Sequence, residues 1–187
     1  MEVTLKKLSK SNERLKWLIK EKALTFGNVT LASGGVSDFF FDMKMVSMDP
    51  EGSNLIADAL LEILKKENVD YVGGLESGAI PIVSTLCAKS WIEGTPIPGF
   101  FVRKKPKERG TMKLIEGNLK ENSKVILVDD VTTKGGSVLQ AVEKVRELNC
   151  KIDKVITVVD RLAGAKENLQ KNNIELIALF TTKDFGV

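Results

Sequence analysis

At 187 residues, 43% of them hydrophobic and 28% charged, the chain suits one soluble globular domain able to bury a core without disulfide or metal staples. It contains no histidine, which excludes imidazole general bases, Ser–His pairs and histidine metal sites, so any metal must sit on oxygen ligands. Net charge is +3, but residues 103–113 alone hold six basic side chains against Glu108, leaving about −2 elsewhere, so the positive charge is a local site and not a nucleic-acid-binding face.

The N-terminus carries Lys6, Lys7, Lys10 and Arg14 among spaced leucines, with no apolar core of a signal peptide. No apolar run approaches the roughly 18 residues of a membrane span. Cys87 and Cys150 stand 63 positions apart in apolar helical contexts and read as reduced core residues. These features point to a cytoplasmic protein that binds no membrane.

Residues 8–22 open on Ser11-Asn12 and place Leu15, Leu18 and Ile19 at helical spacing, predicting an amphipathic surface helix over one end of the domain. Residues 23–44 hold two strand-like runs around the turn-forming residues Ser33, Gly34, Gly35 and Ser37, an antiparallel hairpin. From Asp49-Pro50, residues 52–66 form a helix with Leu55, Ile56, Ala59, Leu60, Ile63 and Leu64 on one side. A strand at 69–74 then leads through Leu75, Glu76, Ser77 and Gly78 into a helix ending near Ser90, and such a glycine-containing loop is an anion site. A strand at 96–102 follows. Residues 103–117 show no apolar period and predict a long loop, whose dense like charges repel unless an anion is expected.

The most informative stretch is 125–137. Val125, Ile126, Leu127 and Val128, without polar alternation, suit a central parallel strand covered on both faces. Asp129 and Asp130 mark its carboxyl end; after Thr132, Thr133 and Lys134, Gly135-Gly136 permits a tight turn, and a helix begins near Ser137. Free backbone N–H groups, the helix dipole and the hydroxyls of Thr132, Thr133 and Ser137 make that loop a phosphate-monoester site. Two carboxylates beside a phosphate must face something else, either vicinal sugar hydroxyls or Mg²⁺. The ligand implied is a ribose 5-phosphate. A response-regulator phosphoacceptor domain also uses an Asp pair at a strand end, but on its first strand, and only 57 residues follow Asp130 here. Beyond a helix ending near Cys150, a strand at 154–159 delivers Asp160-Arg161, residues 165–171 are helical, and 174–180 closes the sheet.

The segment 125–137 resembles the PRPP-binding motif of the type I phosphoribosyltransferases. The hairpin resembles the Phe-Gly…Leu-x-Ser-Gly…Ser-x-Phe/Tyr-Phe/Tyr signature of the orotate phosphoribosyltransferases, and residues 103–117 are similar to their catalytic loop, Arg-Lys-x-x-Lys-x-His-Gly…Glu-Gly. Val159-Asp160-Arg161 matches their Val-Val-Asp-Arg pattern, so the resemblance covers about residues 24–185. It implies an α/β domain, a mainly parallel Rossmann-like sheet flanked by helices, spanning 1–187 as one unit with a small N-terminal hood (about 1–45) on a core (about 46–187).

The activity implied is transfer of phosphoribosyl from PRPP to orotate, giving orotidine 5′-phosphate and pyrophosphate in pyrimidine biosynthesis, with Mg²⁺. The resemblance assigns PRPP binding to Glu76, Ser77, Gly78, Arg103, Lys104, Lys107, Asp129, Asp130, Thr132, Thr133, Lys134, Gly135, Gly136 and Ser137. It gives catalysis to Lys107, Arg109, Asp129 and Asp130, with Asp129 and Asp130 meeting the metal through PRPP or water. Orotate contacts fall to Phe39, Phe40, Thr133 and Arg161, the arginine able to pair bidentately with a pyrimidine carboxylate. The loop of the family acts across the interface of a homodimer with shared sites. Three departures stand out: Ala32 and Gly78 occupy positions where the family often has Lys, and Arg109 stands at its loop His. The first and last leave open a phosphoribosyltransferase for another nucleobase; a PRPP-sensing regulator would need a nucleic-acid-binding face or an appended domain, and the sequence displays neither.

Overall fold

The structure is a computed structural model that describes residues 2–30, 36–106 and 113–187. Ala32, Ser33, Gly34, Lys107 and Arg109 lie outside the described residues. Helix α1 (Glu2–Leu18) runs into a wider turn at Ile19–Ala23 and then into an antiparallel hairpin, β1 (Leu24–Thr30) and β2 (Val36–Phe41). The helix begins earlier than the predicted residue 8, because the Ser11-Asn12 pair read as a cap lies within it. A short helix α2 (Lys44–Ser47) leads to α3 (Pro50–Leu64), which starts where Asp49 accepts from the N–H groups of Glu51 (3.0 Å) and Gly52 (2.9 Å), with Pro50 at the first turn.

The remaining chain runs β3 (Tyr71–Gly73), α4 (Ala79–Ile92), β4 (Phe100–Val102), β5 (Ile115–Gly117), β6 (Lys124–Thr132), α5 (Gly136–Arg146), β7 (Lys151–Asp160), α6 (Ala165–Gln170) and β8 (Glu175–Thr181), strands alternating with helices except for the run β4-β5-β6. The sheet runs β3-β6-β7-β8 and every pairing in it is parallel. Beside β3 lies β4, joined by parallel bridges Val72–Gly99 and Leu75–Val102. The predicted α/β fold with a mainly parallel sheet is therefore present.

Alternation along β6 explains why its apolar run carries no polar period. Val125 and Leu127 pack with Val138, Ala141, Val142 and Val145 of α5, whereas Ile126 and Val128 pack with Ile56 and Leu60 of α3 and Ile82 and Leu86 of α4. Burying each such side chain stabilises the fold by about 1.5–3 kcal/mol relative to leaving it exposed. Because the cluster on the α3 side also takes in Leu15 and Leu18 of α1 and Phe41 of β2, the N-terminal elements are seated against the core that carries the sheet.

Several predicted boundaries differ, and three of them bear on the site or on the cysteines. Strand β6 continues past the Asp pair to Thr132, since Val131 and Thr132 still pair with β7 at Val159 and Asp160. The stretch 103–117 is not loop throughout: β5 at its end pairs antiparallel with β4, a partner three residues long and too short to leave a period. Helix α5 ends at Arg146, so Cys150 sits beyond it and not in a helix, buried and reduced, while Cys87 is half-buried in α4 and also free. Among the described residues no helix is long and apolar enough to cross a membrane.

Candidate active site

Three connections meet at the carboxyl end of the sheet, those following β3, β4 and β6, and they enclose a cleft of about 590 Å³. Parallel strands put all their carboxyl ends on one edge, which is where such folds place ligands. Of the residues assigned to PRPP, the cleft is lined by Glu76, Ser77, Gly78, Lys104, Asp129, Asp130, Thr132, Thr133, Lys134, Gly135, Gly136 and Ser137.

The β6–α5 turn is built from backbone. Gly135 takes the left-handed conformation (φ 77°) at the entry to α5, which favours glycine. Asn168 of α6 donates its side-chain N–H to Lys134 O (2.9 Å) and so pins the turn. The first N–H groups of α5 have no earlier turn to bond, and the helix dipole adds partial positive charge there. One candidate donor is already committed: the hydroxyl of buried Thr132 donates to Asp129 Oδ2 (3.1 Å), so it serves the carboxylate and not a phosphate.

Asp129 is buried, and burial first, then the charge of Asp130, pushes its carboxyl up to about 7. Burial likewise raises Asp130, whose Oδ1 accepts the Val131 N–H (2.8 Å). Two carboxylates held this way are costly to ionise together unless hydroxyl donors or a cation meet them. Gly78 is fitted to the pair: a Cβ there would lie 2.5 Å from Asp130 Oδ1. The lysine frequent in the family at this position would displace that carboxylate. For Mg²⁺ the donor set is oxygen, as the ion requires, but no group of three acidic or thiol ligands exists among the described residues. Asp129 and Asp130 alone do not make a protein-built shell and fit the ion only where substrate oxygens or water stand between.

Glu76, in the cleft lining, also acts as a fastening. Its Oε1 accepts the Lys104 backbone N–H (2.8 Å) and its Oε2 lies 4.0 Å from Arg103 Nη1, fixing the root of the basic segment over the cleft. Lys104 lines the cleft, and Arg103 does not. The lining also includes Phe40, Thr133 and Arg161. Arg161 follows the end of β7, its backbone N–H bonded to Thr132 O (2.9 Å). Phe39, on the opposite face of β2 from Phe40, does not line the cleft and lies instead beneath the Arg161 guanidinium, 4.5 Å from the ring centroid.

The lining residues that sequence reasoning did not assign to the site include Phe41, Lys44 and Gln140. Gln140 stands three positions after Ser137 and so on the same helical face, a signal that was available. Phe41 serves both cleft and core, with only 4% of its surface exposed. Lys44, paired with Asp42 (2.6 Å), had no sequence signal, because it follows a strand in a stretch without periodicity.

The phosphoribosyl transferase domain family matches residues 44–181. The chain is 44% identical over 181 residues to the orotate phosphoribosyltransferase of Bradyrhizobium sp. strain BTAi1, covering 95% of this chain and 98% of that protein. It is 46% identical over 177 residues to the orotate phosphoribosyltransferase of Methanocaldococcus jannaschii, covering 95% and 97%. The orotate phosphoribosyltransferase of Mycobacterium tuberculosis H37Rv, solved in complex with Fe(III) dicitrate, superposes with a TM-score of 0.83 at 31% identity, covering 95% of this chain and 99% of that one. With the motifs lying around one cleft and these relatives matching nearly end to end, the chain belongs to the orotate phosphoribosyltransferases of the phosphoribosyl transferase family.

Proposed function

We propose that this protein transfers phosphoribosyl from PRPP to orotate, forming orotidine 5′-phosphate and pyrophosphate. The observation that carries the reading is the cleft itself, where the buried Asp129 and its half-buried neighbour Asp130 share a lining with a backbone anion cradle and an arginine from the next strand. The cradle at Thr133, Lys134, Gly135, Gly136 and Ser137 holds the 5′-phosphate, Asp129 and Asp130 accept from the ribose hydroxyls, and Arg161 takes the orotate carboxylate while Phe40 lies against the ring. Ser77 and Gly78 face the diphosphate with their backbone.

Loss of the diphosphate leaves positive charge on the ribose C1, which negative charge nearby stabilises, so no protein nucleophile is required. Lys104, with Lys107 and Arg109 of the basic segment, neutralises the departing anion. Arg109 holds its charge at every accessible pH, unlike the histidine the family carries there, so its part is electrostatic and not proton transfer. Mg²⁺, when bound, offsets the diphosphate charge, with Asp129 and Asp130 meeting it through PRPP or water.

The assembly that suits this reading is a single-domain protomer, hood about 1–45 and core about 46–187, in a cytoplasmic homodimer whose basic segments close over the partner's cleft. Mixing Lys107→Ala protomers with Asp129→Asn, Asp130→Asn protomers then restores turnover in the hybrid dimer; no recovery after confirmed subunit exchange rejects the shared site. The acceptor is tested by PRPP-dependent pyrophosphate release across orotate, uracil and adenine. Release with orotate alone is expected. Equal release with uracil overturns the carboxylate assignment.

A further inference from the structure

Arg161 has an unusual seat for a cation. Among the described residues its guanidinium has no carboxylate partner, and burial alone holds it below its ordinary range. What holds it in place is the hairpin, more than 120 positions earlier in the chain. Arg161 Nη2 donates to Ser37 Oγ (2.7 Å) and, more weakly, to Phe39 O (3.4 Å), while the guanidinium lies over the Phe39 ring at 4.5 Å. The Ser37 hydroxyl donates its proton to Phe39 O (2.8 Å), which leaves its lone pairs for the arginine.

The ring beneath is itself braced. Phe39 meets Phe41 edge-on (centroids 5.9 Å apart, 83° between planes), Phe41 meets Phe185 at 5.3 Å, and Phe185 meets Phe180 of β8 at 5.9 Å. A row of four aromatic rings therefore runs from the far strand of the sheet to the face of one arginine. None of these contacts gives the arginine a counter-charge. They fix its plane and leave its charge unspent, with Nε and Nη1 free of any described protein partner.

We infer that Ser37 and Phe39 are positioning residues that set the acceptor preference of this enzyme, by holding Arg161 in one orientation toward an anionic, planar acceptor. This rests on the reading of Arg161 as the carboxylate contact. It also bears on the Ala32 departure: with no lysine at that position, recognition of the acceptor's charge falls on a preoriented arginine. Orientation matters because a fork of N–H donors matches a carboxylate in one plane, and freedom about the long side chain would have to be given up on binding.

The test is steady-state kinetics of the intact protein with orotate and PRPP varied separately. Ser37→Ala is expected to raise KM for orotate about tenfold, the scale of one charge-assisted hydrogen bond, with KM for PRPP and kcat within about twofold. Ser37→Thr, which keeps the hydroxyl, restores the wild-type KM. Phe39→Leu keeps apolar volume against Phe41 but removes the ring face; it moves KM for orotate the same way and carries the test if Ser37→Ala fails to fold. On an Arg161→Ala background neither substitution has a further effect, because both act through that arginine. The inference is overturned if folded Ser37→Ala or Phe39→Leu leaves KM for orotate unchanged, or raises both KM values equally, or adds its full effect to Arg161→Ala. Absence of orotate turnover in the wild type overturns the acceptor reading instead, and that is read before any variant is made.

Discussion

The two walls of the cleft are made by different means. The sugar-phosphate wall is continuous chain: β6, its carboxylate pair, a left-handed glycine and the first turn of α5, all within residues 124–137. The acceptor wall is assembled from distant pieces, Phe40 on the hairpin and Arg161 after β7, joined by side-chain contacts across 122 to 124 positions. A wall of backbone can be altered only by moving the chain, so its failures should be large and general. A wall of side chains can be altered one group at a time, so its failures should be graded and confined to the acceptor.

The largest effect should come from the buried pair. Asp129→Asn with Asp130→Asn removes the negative charge proposed to stabilise the developing cation and is expected to lower kcat by at least about a hundredfold, as deletion of a preorganised electrostatic contact does. Circular dichroism and turnover measured together check it. A folded double variant with near-normal turnover would mean that the strand end does not serve the sugar.

Gly78→Val asks whether the pair can be disabled from the facing loop. The added side chain would meet the Asp130 carboxylate within 2.5 Å, so the carboxylate must turn away. We expect a loss in kcat/KM for PRPP of about ten- to a hundredfold, equivalent to about 1.4 to 2.7 kcal/mol, with Gly78→Ala intermediate. If both leave PRPP kinetics intact, Asp130 does not need its present position.

The smallest effect concerns stability and runs opposite to activity. The Asp129 carboxyl titrates near 7 when folded against 3.8 as its ordinary value, so the folded state holds its proton more tightly than the unfolded one. Stability associated with this group is full below the unfolded value and is lost as pH rises from about 4 to about 7, because the unfolded chain ionises first. Asp129→Asn should therefore raise Tm at pH 8 by a few degrees, about what 1 kcal/mol gives in a domain of this size, and change it little at pH 4. Thermal melts at the two pH values measure the difference; a variant less stable at pH 8 would show that Asp129 is compensated in the fold. The same ionisation should make PRPP binding weaken as pH falls below about 7.

The contrast between the walls also explains what could be read from the chain alone. A strand buried on both faces must be apolar without alternation, and a tight phosphate turn requires glycine, so residues 125–137 announced themselves locally. The helix at 52–66 was legible from its 3.6-residue period, and the structure places α3 at Pro50–Leu64. Long-range pairings leave no such trace. That Ser37 would meet Arg161, that Glu76 would fasten the Lys104 backbone, and that Thr132 would spend its hydroxyl on Asp129 each depend on where the chain returns in space. Phe39 and Phe40 looked alike in sequence, yet the pleat sends them to opposite faces, one to hold the arginine and one to line the cleft.

One tie between the walls has a geometric consequence. The Arg161 N–H bonds to Thr132 O, and Thr132 and Asp160 are register partners on adjacent strands. Neighbouring strands in a sheet stand about 4.8 Å apart. On the proposed assignment the sheet would act as a ruler: donor sugar and acceptor base would be held by neighbouring rungs, at a separation the interstrand spacing defines and loop movements cannot stretch. An enzyme that joins two molecules by a single bond has its reach set by the ladder of hydrogen bonds, so substitutions that shift the register of β7 against β6 should separate the substrates while leaving each one bound.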